Sequence, residues 1–286
     1  MVKMLAEIKT GDSGIEWADE SWNYWWGCLK VSPGCNGCYA ERFTKGVQGR
    51  DFDVIRYIPN SLDKPLRPKF REPTRFFVNA FSDFFDIRVP DSERDKVIEV
   101  MKQSPQHVYI ILTKRPRIAR QYLSKFGKLP ENWWFGVSVE SEQYLWRIHE
   151  LRDIPQISTR IVSIEPLIDH IDERELAKAI GPHYEHPGAS IDWIITGGES
   201  GPSPRKCDPN WIRSVRDVCF EYNIPFFLKQ HGGRRKCAHG SYGCCVLDGK
   251  IYHQYPEELQ RHPSILRRID HGISDAKACS EVFGEK

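Results

Sequence analysis

The chain has 286 residues, 41 basic and 39 acidic, for a formal net charge of +2. That length suits one large α/β domain or two smaller ones, and it buries enough core to fold without disulfides. Near-neutral charge selects neither for nor against nucleic acid, no apolar run approaches the ~20 residues of a membrane span, and no signal peptide opens the chain, so a cytoplasmic protein without a membrane partner is expected.

A first strand is expected within Ile15 to Trp26. Four tryptophans, Trp17, Trp22, Trp25 and Trp26, lie in it, either as an aromatic core floor or as a water-excluding wall. Cys28, Cys35 and Cys38 follow, spaced C-x6-C-x2-C. In a reducing compartment such clustered cysteines bind metal more often than they pair. A helix opening at Tyr39 puts Cys35 and Cys38 at its start, where both thiolates face one centre and the helix dipole favours the anion. A closed zinc site wants a fourth ligand, and none stands at the usual spacing. A three-cysteine iron–sulfur cluster keeps one iron open. Spacing alone leaves both readings standing.

Further strands are expected at Phe76 to Ala80, Val108 to Leu112, Trp134 to Val139, Arg160 to Ile164, Ile191 to Thr196 and Phe226 to Lys229. Their near-continuous apolar character suits strands buried on both faces. Helical patterns alternate with them: Ser92 to Gln103 with Asp91 as N-cap, Arg117 to Phe126, Tyr144 to Arg152, Asp172 to Ile180, and a helix opened by Asp208 and Pro209. This alternation predicts a partial TIM-like (β/α)6 barrel over residues 1–231, with a C-terminal extension over 232–286.

In such folds functional groups gather at the C-terminal strand ends. Those ends offer Asn79, Ser82 and Asp83, then Thr113 and Lys114, then Ser138 and Glu140, then Glu165, then Gly198 and Glu199, and finally Lys229 and Gln230. Together they suit a polar cofactor lying across the barrel mouth. Lys114-Arg115, Arg117, Arg205-Lys206 and Arg234-Arg235-Lys236 are basic clusters that could meet phosphates. In the extension, Cys237, His239, Cys244 and Cys245 form a candidate second metal site, although adjacent cysteines diverge in an extended chain. Cys207, Cys219 and Cys279 stand apart, Cys219 as a core residue.

The tracts Gly-Cys-Leu-Lys-Val-Ser-Pro-Gly-Cys-Asn-Gly-Cys-Tyr-Ala-Glu-Arg, Phe-Val-Asn-Ala-Phe-Ser-Asp, Leu-Thr-Lys-Arg-Pro, Gly-Val-Ser-Val-Glu, Ser-Ile-Glu-Pro-Leu and Gly-Gly-Glu-Ser-Gly occur in this order. In them the chain resembles the phage-associated three-cysteine-motif family of the radical SAM superfamily. The resemblance implies a [4Fe–4S] cluster on Cys28, Cys35 and Cys38, with S-adenosylmethionine on the fourth iron. It implies reductive cleavage of that cofactor to a 5′-deoxyadenosyl radical that abstracts hydrogen, with an electron donor such as flavodoxin or ferredoxin. Asn79, Ser82, Asp83, Thr113, Ser138, Glu140 and Glu165 become candidate cofactor contacts, and Lys114, Gly198, Glu199, Lys229 and Gln230 candidate catalytic or substrate groups. The implied substrate is a nucleotide or DNA base, with isomerisation of an amino-acid-modified thymine in phage DNA as one case and a host cytoplasm as the setting. Two features depart from the superfamily pattern: the first cysteine gap is six rather than three, and the aromatic follows the last cysteine. Alternatives are a zinc-stabilised nucleic-acid-binding protein and a radical SAM DNA repair lyase.

Overall fold

The computed structural model describes residues 15–182, 189–237 and 240–256. The first sheet strand, β1 (Glu20–Trp22), is short. The expected long strand breaks at Asn23, whose side-chain oxygen accepts the Phe81 amide at 3.0 Å. The chain then leaves the sheet as β2 (Trp25–Trp26), runs through the cysteine loop into α1 (Tyr39–Gly46), and returns as β3 (Arg56–Tyr57) to pair with β2.

Regular alternation follows: β4 (Arg75–Val78), α2 (Asp91–Gln103), β5 (Val108–Thr113), α3 (Pro116–Leu123), β6 (Trp133–Ser138), α4 (Trp146–Arg152), β7 (Thr159–Ile164), α5 (Glu173–Ile180), β8 (Trp193–Gly197), α6 (Pro209–Glu221) and β9 (Phe226–Gln230). Among the described residues, seven parallel strands lie in the order β1-β4-β5-β6-β7-β8-β9. Six crossovers each carry one α-helix, so the unit is a (β/α)6 half-barrel that ends in a seventh strand. The edges β1 and β9 do not pair with each other.

Alternation along the strands divides the core. Tyr109, Ile111, Phe135, Val137 and Ile194 face the helices in one cluster. Val108, Ile110, Trp134, Ile161, Trp193, Ile195 and Phe227 fill the concave side in another. Successive side chains point to opposite faces, so an apolar strand feeds both layers. The tryptophans divide likewise: Trp22 and Trp25 join the helix-side core, Trp17 joins the concave one, and Trp26 stacks on Phe81 at 4.7 Å.

Helix ends differ from expectation in α2, α3 and α4, the last starting at Trp146 rather than Tyr144 behind a 3₁₀ turn (Glu142–Tyr144). Pro90, not Asp91, holds the N-cap position of α2, and Asp91 instead pairs with Arg94. Helix α3 stops at Leu123 because the Phe126 amide turns back to Leu123 O in a tighter bond. Asp208 caps α6 through a side-chain oxygen as expected, and Asp172, expected as the first helical residue, caps α5 in the same way. After β9 the chain packs back on the strand: His231 N donates to Cys244 O, Leu228 N to Tyr252 O, and β10 (Val246–Leu247) pairs with β11 (Lys250–Ile251). No helix of the described residues is long and apolar enough to cross a membrane.

Candidate functional site

A cavity of about 490 Å³ opens where the parallel strands end. That volume accommodates a nucleoside-sized ligand. Cys28, Cys35 and Cys38 line it together, approaching from a β2 end, a short 3₁₀ turn (Pro33–Cys35) and the N-cap of α1. Gly27, ahead of Cys28, has φ +103, and a Cβ there would stand 2.2 Å from Val54 O. Glycine is therefore required for the chain to turn from β2 into the loop.

Burial pushes the Cys28 thiol up to about 12; Asp83 adds to the rise and Arg115 opposes it. Burial also raises the Cys38 thiol, against the Glu41 and Ala40 amides that favour its thiolate. The helix-start effect is present but loses to desolvation. A metal reverses this balance, because coordination takes the thiolate form.

Most of the expected strand-end residues meet at this cavity. Asp83 lines it and accepts Thr113 Oγ1 at 2.7 Å, the Lys114 amide at 3.1 Å and Arg115 Nη1 at 2.8 Å. Ser82 lines it with a buried hydroxyl that has no hydrogen-bond partner among the described residues. Lys114 lines it as well, and its ammonium has no carboxylate partner among the described residues. Ser138, Gly198 and Gln230 contribute wall, and Gln230 Nε2 donates to Gly198 O at 2.8 Å. Across the floor Lys229 Nζ pairs with Glu165 Oε1 at 3.2 Å, and Ser163 donates to the other oxygen at 3.2 Å.

Three expected residues take other places. Asn79 does not line the cavity; it sits in the left-handed region (φ 56) and accepts the Tyr24 amide at 3.2 Å, so it turns the chain out of β4. Glu140 is fully buried behind Gly34 and pairs with Arg147 at 2.8 Å, its second oxygen unpartnered. Glu199 reaches the cavity, but Arg205 occupies its carboxylate in a fork at 2.6 and 3.0 Å. Burial would raise that carboxyl, yet the Arg205 bonds win and hold it below the usual glutamate range.

Of the basic clusters, Arg115 pairs with Asp83 and Asp86, Arg117 with Glu150 and Arg205 with Glu199. Arg115 and Arg205 cannot meet phosphate without breaking these pairs, whereas Arg117 engages Glu150 through Nε alone and stays exposed. Lys236 does line the cavity, beside exposed Arg234 and Arg235. The extension thus supplies wall, with Ser241 and Tyr242 alongside it. Sequence reading did not single out Glu16 or Ser241, which the tertiary fold alone brings together.

Among the described residues no three His, Cys, Asp or Glu side chains converge tightly enough to hold one metal ion. Cys244 and Cys245 are buried and Cys237 is partly buried, while His239 and Cys279 lie outside the described residues. Burial, with Glu16 nearby, pushes the Cys245 thiol up to about 12.

Fold and cavity together define an α/β half-barrel protein with three cysteines at the mouth of its cavity. The chain belongs to the family described as Protein of unknown function (DUF5131), matched over residues 12–256. No curated protein matches it. Similar solved structures include a spore photoproduct lyase mutant with bound AdoMet and dinucleoside spore photoproduct, at 15% identity over 95% of this chain and 78% of that chain, with TM-score 0.42. Spore photoproduct lyase complexed with dinucleoside spore photoproduct is 14% identical over 96% and 78%, with TM-score 0.42. A further mutant of the lyase is 12% identical over 96% and 78%, with TM-score 0.44.

Proposed function

We propose that this protein is a radical SAM enzyme whose three cysteines hold a [4Fe–4S] cluster and whose substrate is a nucleotide or DNA base. One observation carries the reading: three thiols and the polar ends of the parallel strands share a single cavity. Among the described residues the cavity wall offers no histidine and no fourth cysteine. This donor set suits a centre that keeps one position open for an outside ligand. A zinc ion would need its sulfurs to converge at about 2.3 Å, whereas a cubane takes each thiolate at a separate corner.

When bound, the cluster and S-adenosylmethionine supply a 5′-deoxyadenosyl radical by one-electron reductive cleavage. The chain's own residues bind and orient around that chemistry. Lys114 offers a cation to a carboxylate or phosphate, and the Glu165–Lys229 pair offers both signs at the floor. Lys236, with Arg234 and Arg235 beside it, gives a basic rim for the phosphates of a nucleic acid. Isomerisation of an amino-acid-modified thymine is the specific reaction we favour, with flavodoxin or ferredoxin as reductant.

The test is anaerobic reconstitution with iron and sulfide, then reduction with S-adenosylmethionine present. A brown protein that releases 5′-deoxyadenosine supports the reading. Stoichiometric zinc in anaerobically purified protein, with no cofactor cleavage, overturns it. Mass spectrometry of nucleosides from cells with and without the protein identifies the base. Turnover only on damaged duplex, with the cofactor regenerated, would make it a repair lyase instead.

A further inference from the structure

The six residues between Cys28 and Cys35 are held near both ends by arginines from distant parts of the fold. Near the start, Arg115, just past β5, donates Nη2 to Leu29 O at 2.9 Å, and its Nη1 lies 3.5 Å from Cys28 Sγ. Asp83 and Asp86 fix that guanidinium at 2.8 and 3.3 Å. Near the end, Arg205, in the segment after β8, donates Nη1 to Pro33 O at 2.9 Å. Glu199 fixes this second guanidinium through its fork and also accepts the Arg205 amide at 2.9 Å. Beyond it, Arg42 ties Gly37 O to Ser200 O at 2.7 and 2.6 Å.

The two glycines of the loop lie against two arginine-paired glutamates. A Cβ on Gly34 would stand 3.1 Å from the carboxyl carbon of Glu140, and one on Gly37 would stand 1.9 Å from Glu199 Oε1. The loop backbone is thus pressed onto carboxylates whose own positions are set by Arg147 and Arg205.

We infer that Arg115 and Arg205 are positioning residues that staple the cysteine loop in place at the cavity mouth before any metal arrives. The inference rests on the reading that the three cysteines serve one centre, but the order of the loop is a property of the metal-free chain. The physical need follows from length. A longer gap between ligands has more conformations to lose when its ends are fixed. A guanidinium locked by a carboxylate fork cannot follow a moving loop, so a carbonyl bonded to it is fixed as well. The widened C-x6-C gap is therefore rigid at its first and fifth internal residues, Leu29 and Pro33.

The experiment is hydrogen–deuterium exchange of residues 28–38 in the metal-free full chain, comparing wild type with Glu199→Gln, Arg205→Lys and Arg115→Lys. The amides of Cys35 and Asn36, bonded to Ser32 O and Pro33 O, report the loop. Each lost staple is expected to speed their exchange about tenfold, the size of one charge-assisted hydrogen bond. The amides of β6 and β7 are expected to stay unchanged. Arg205→Lys keeps the charge but not the fork, so restored protection there would overturn a geometric role. The Glu199→Gln/Arg205→Lys double variant is expected to be no faster than the faster single variant. Unchanged loop exchange in folded Arg205→Lys and Glu199→Gln overturns the inference, whatever Arg115→Lys does. Iron uptake is read separately: wild type that takes up no iron removes the cluster reading, while the exchange data still decide the staples.

Discussion

Asp83 and Arg115, at the ends of neighbouring strands β4 and β5, form an ion pair of 2.8 Å in the cavity wall. Asp83 is nearly buried and also accepts from Thr113 and from the amides of Phe85 and Lys114. Asp83→Asn leaves Arg115 with a weaker partner in a desolvated place. Removing one side of such a pair costs about 3 kcal/mol, and urea unfolding is expected to show a loss of that order. Thr113→Val, which removes only one neutral donor, is expected to cost about 1 kcal/mol.

Gly37→Ala is expected to disable the site without unfolding the barrel. The added methyl would overlap Glu199 Oε1. Either the glutamate must move, which breaks the Arg205 fork, or the loop must move, which breaks the Arg205 bond to Pro33 O. Iron content after reconstitution is expected to fall severalfold, with the unfolding midpoint little changed. Full iron content in the alanine variant would show that the loop tolerates the shift.

Cys35→Ala is expected to abolish cluster assembly, and Lys114→Met to leave it intact. The lysine variant instead is expected to bind S-adenosylmethionine about tenfold more weakly, the effect of one charge-assisted contact. Equilibrium dialysis against the reconstituted protein separates the two effects. Full iron in Cys35→Ala would refute the ligand assignment.

His107 sets a pH dependence away from the cavity. Burial holds its ring below the ordinary histidine range, against a smaller opposing effect of Pro65 O. Its Nδ1 accepts the Thr74 amide at 3.2 Å, and Nε2 lies 3.1 Å from Pro65 O. A second proton would sit on Nδ1, facing an N–H. The unfolded chain takes up that proton more readily, so the stability contribution is complete above about pH 6.5 and is lost as pH falls below it. Thermal melts from pH 8 to 5 are expected to show this loss, and His107→Gln is expected to flatten it.

Much of this architecture is legible in the residues. Continuous apolar runs such as Val108 to Leu112 announce buried parallel strands, and Asp208-Pro209 announces a helix start. Because parallel strands all point the same way, their polar ends had to meet, and Ser82, Thr113, Lys114 and Lys229 do so. What local pattern does not carry is which polar group faces the cavity and which faces the scaffold. Asn79 is consumed by a left-handed turn, Glu140 by Arg147 and Glu199 by Arg205. Each partner is fixed by tertiary packing, and a carboxylate looks the same in sequence whether it binds a ligand or an arginine. Glu16 and Ser241 are 225 positions apart, and no local signal joins them.

That last contact bears on how a large molecule reaches the cavity. The strand ladder stops at β1 and β9, and across the interval Ser241 donates its hydroxyl to Glu16. A closed barrel admits only what enters from above. Here the backbone ladder is interrupted, and side chains make the contact across the interval. For the nucleic-acid substrate proposed above, such an interval is where a strand could lie along the outside with neither end needing to thread.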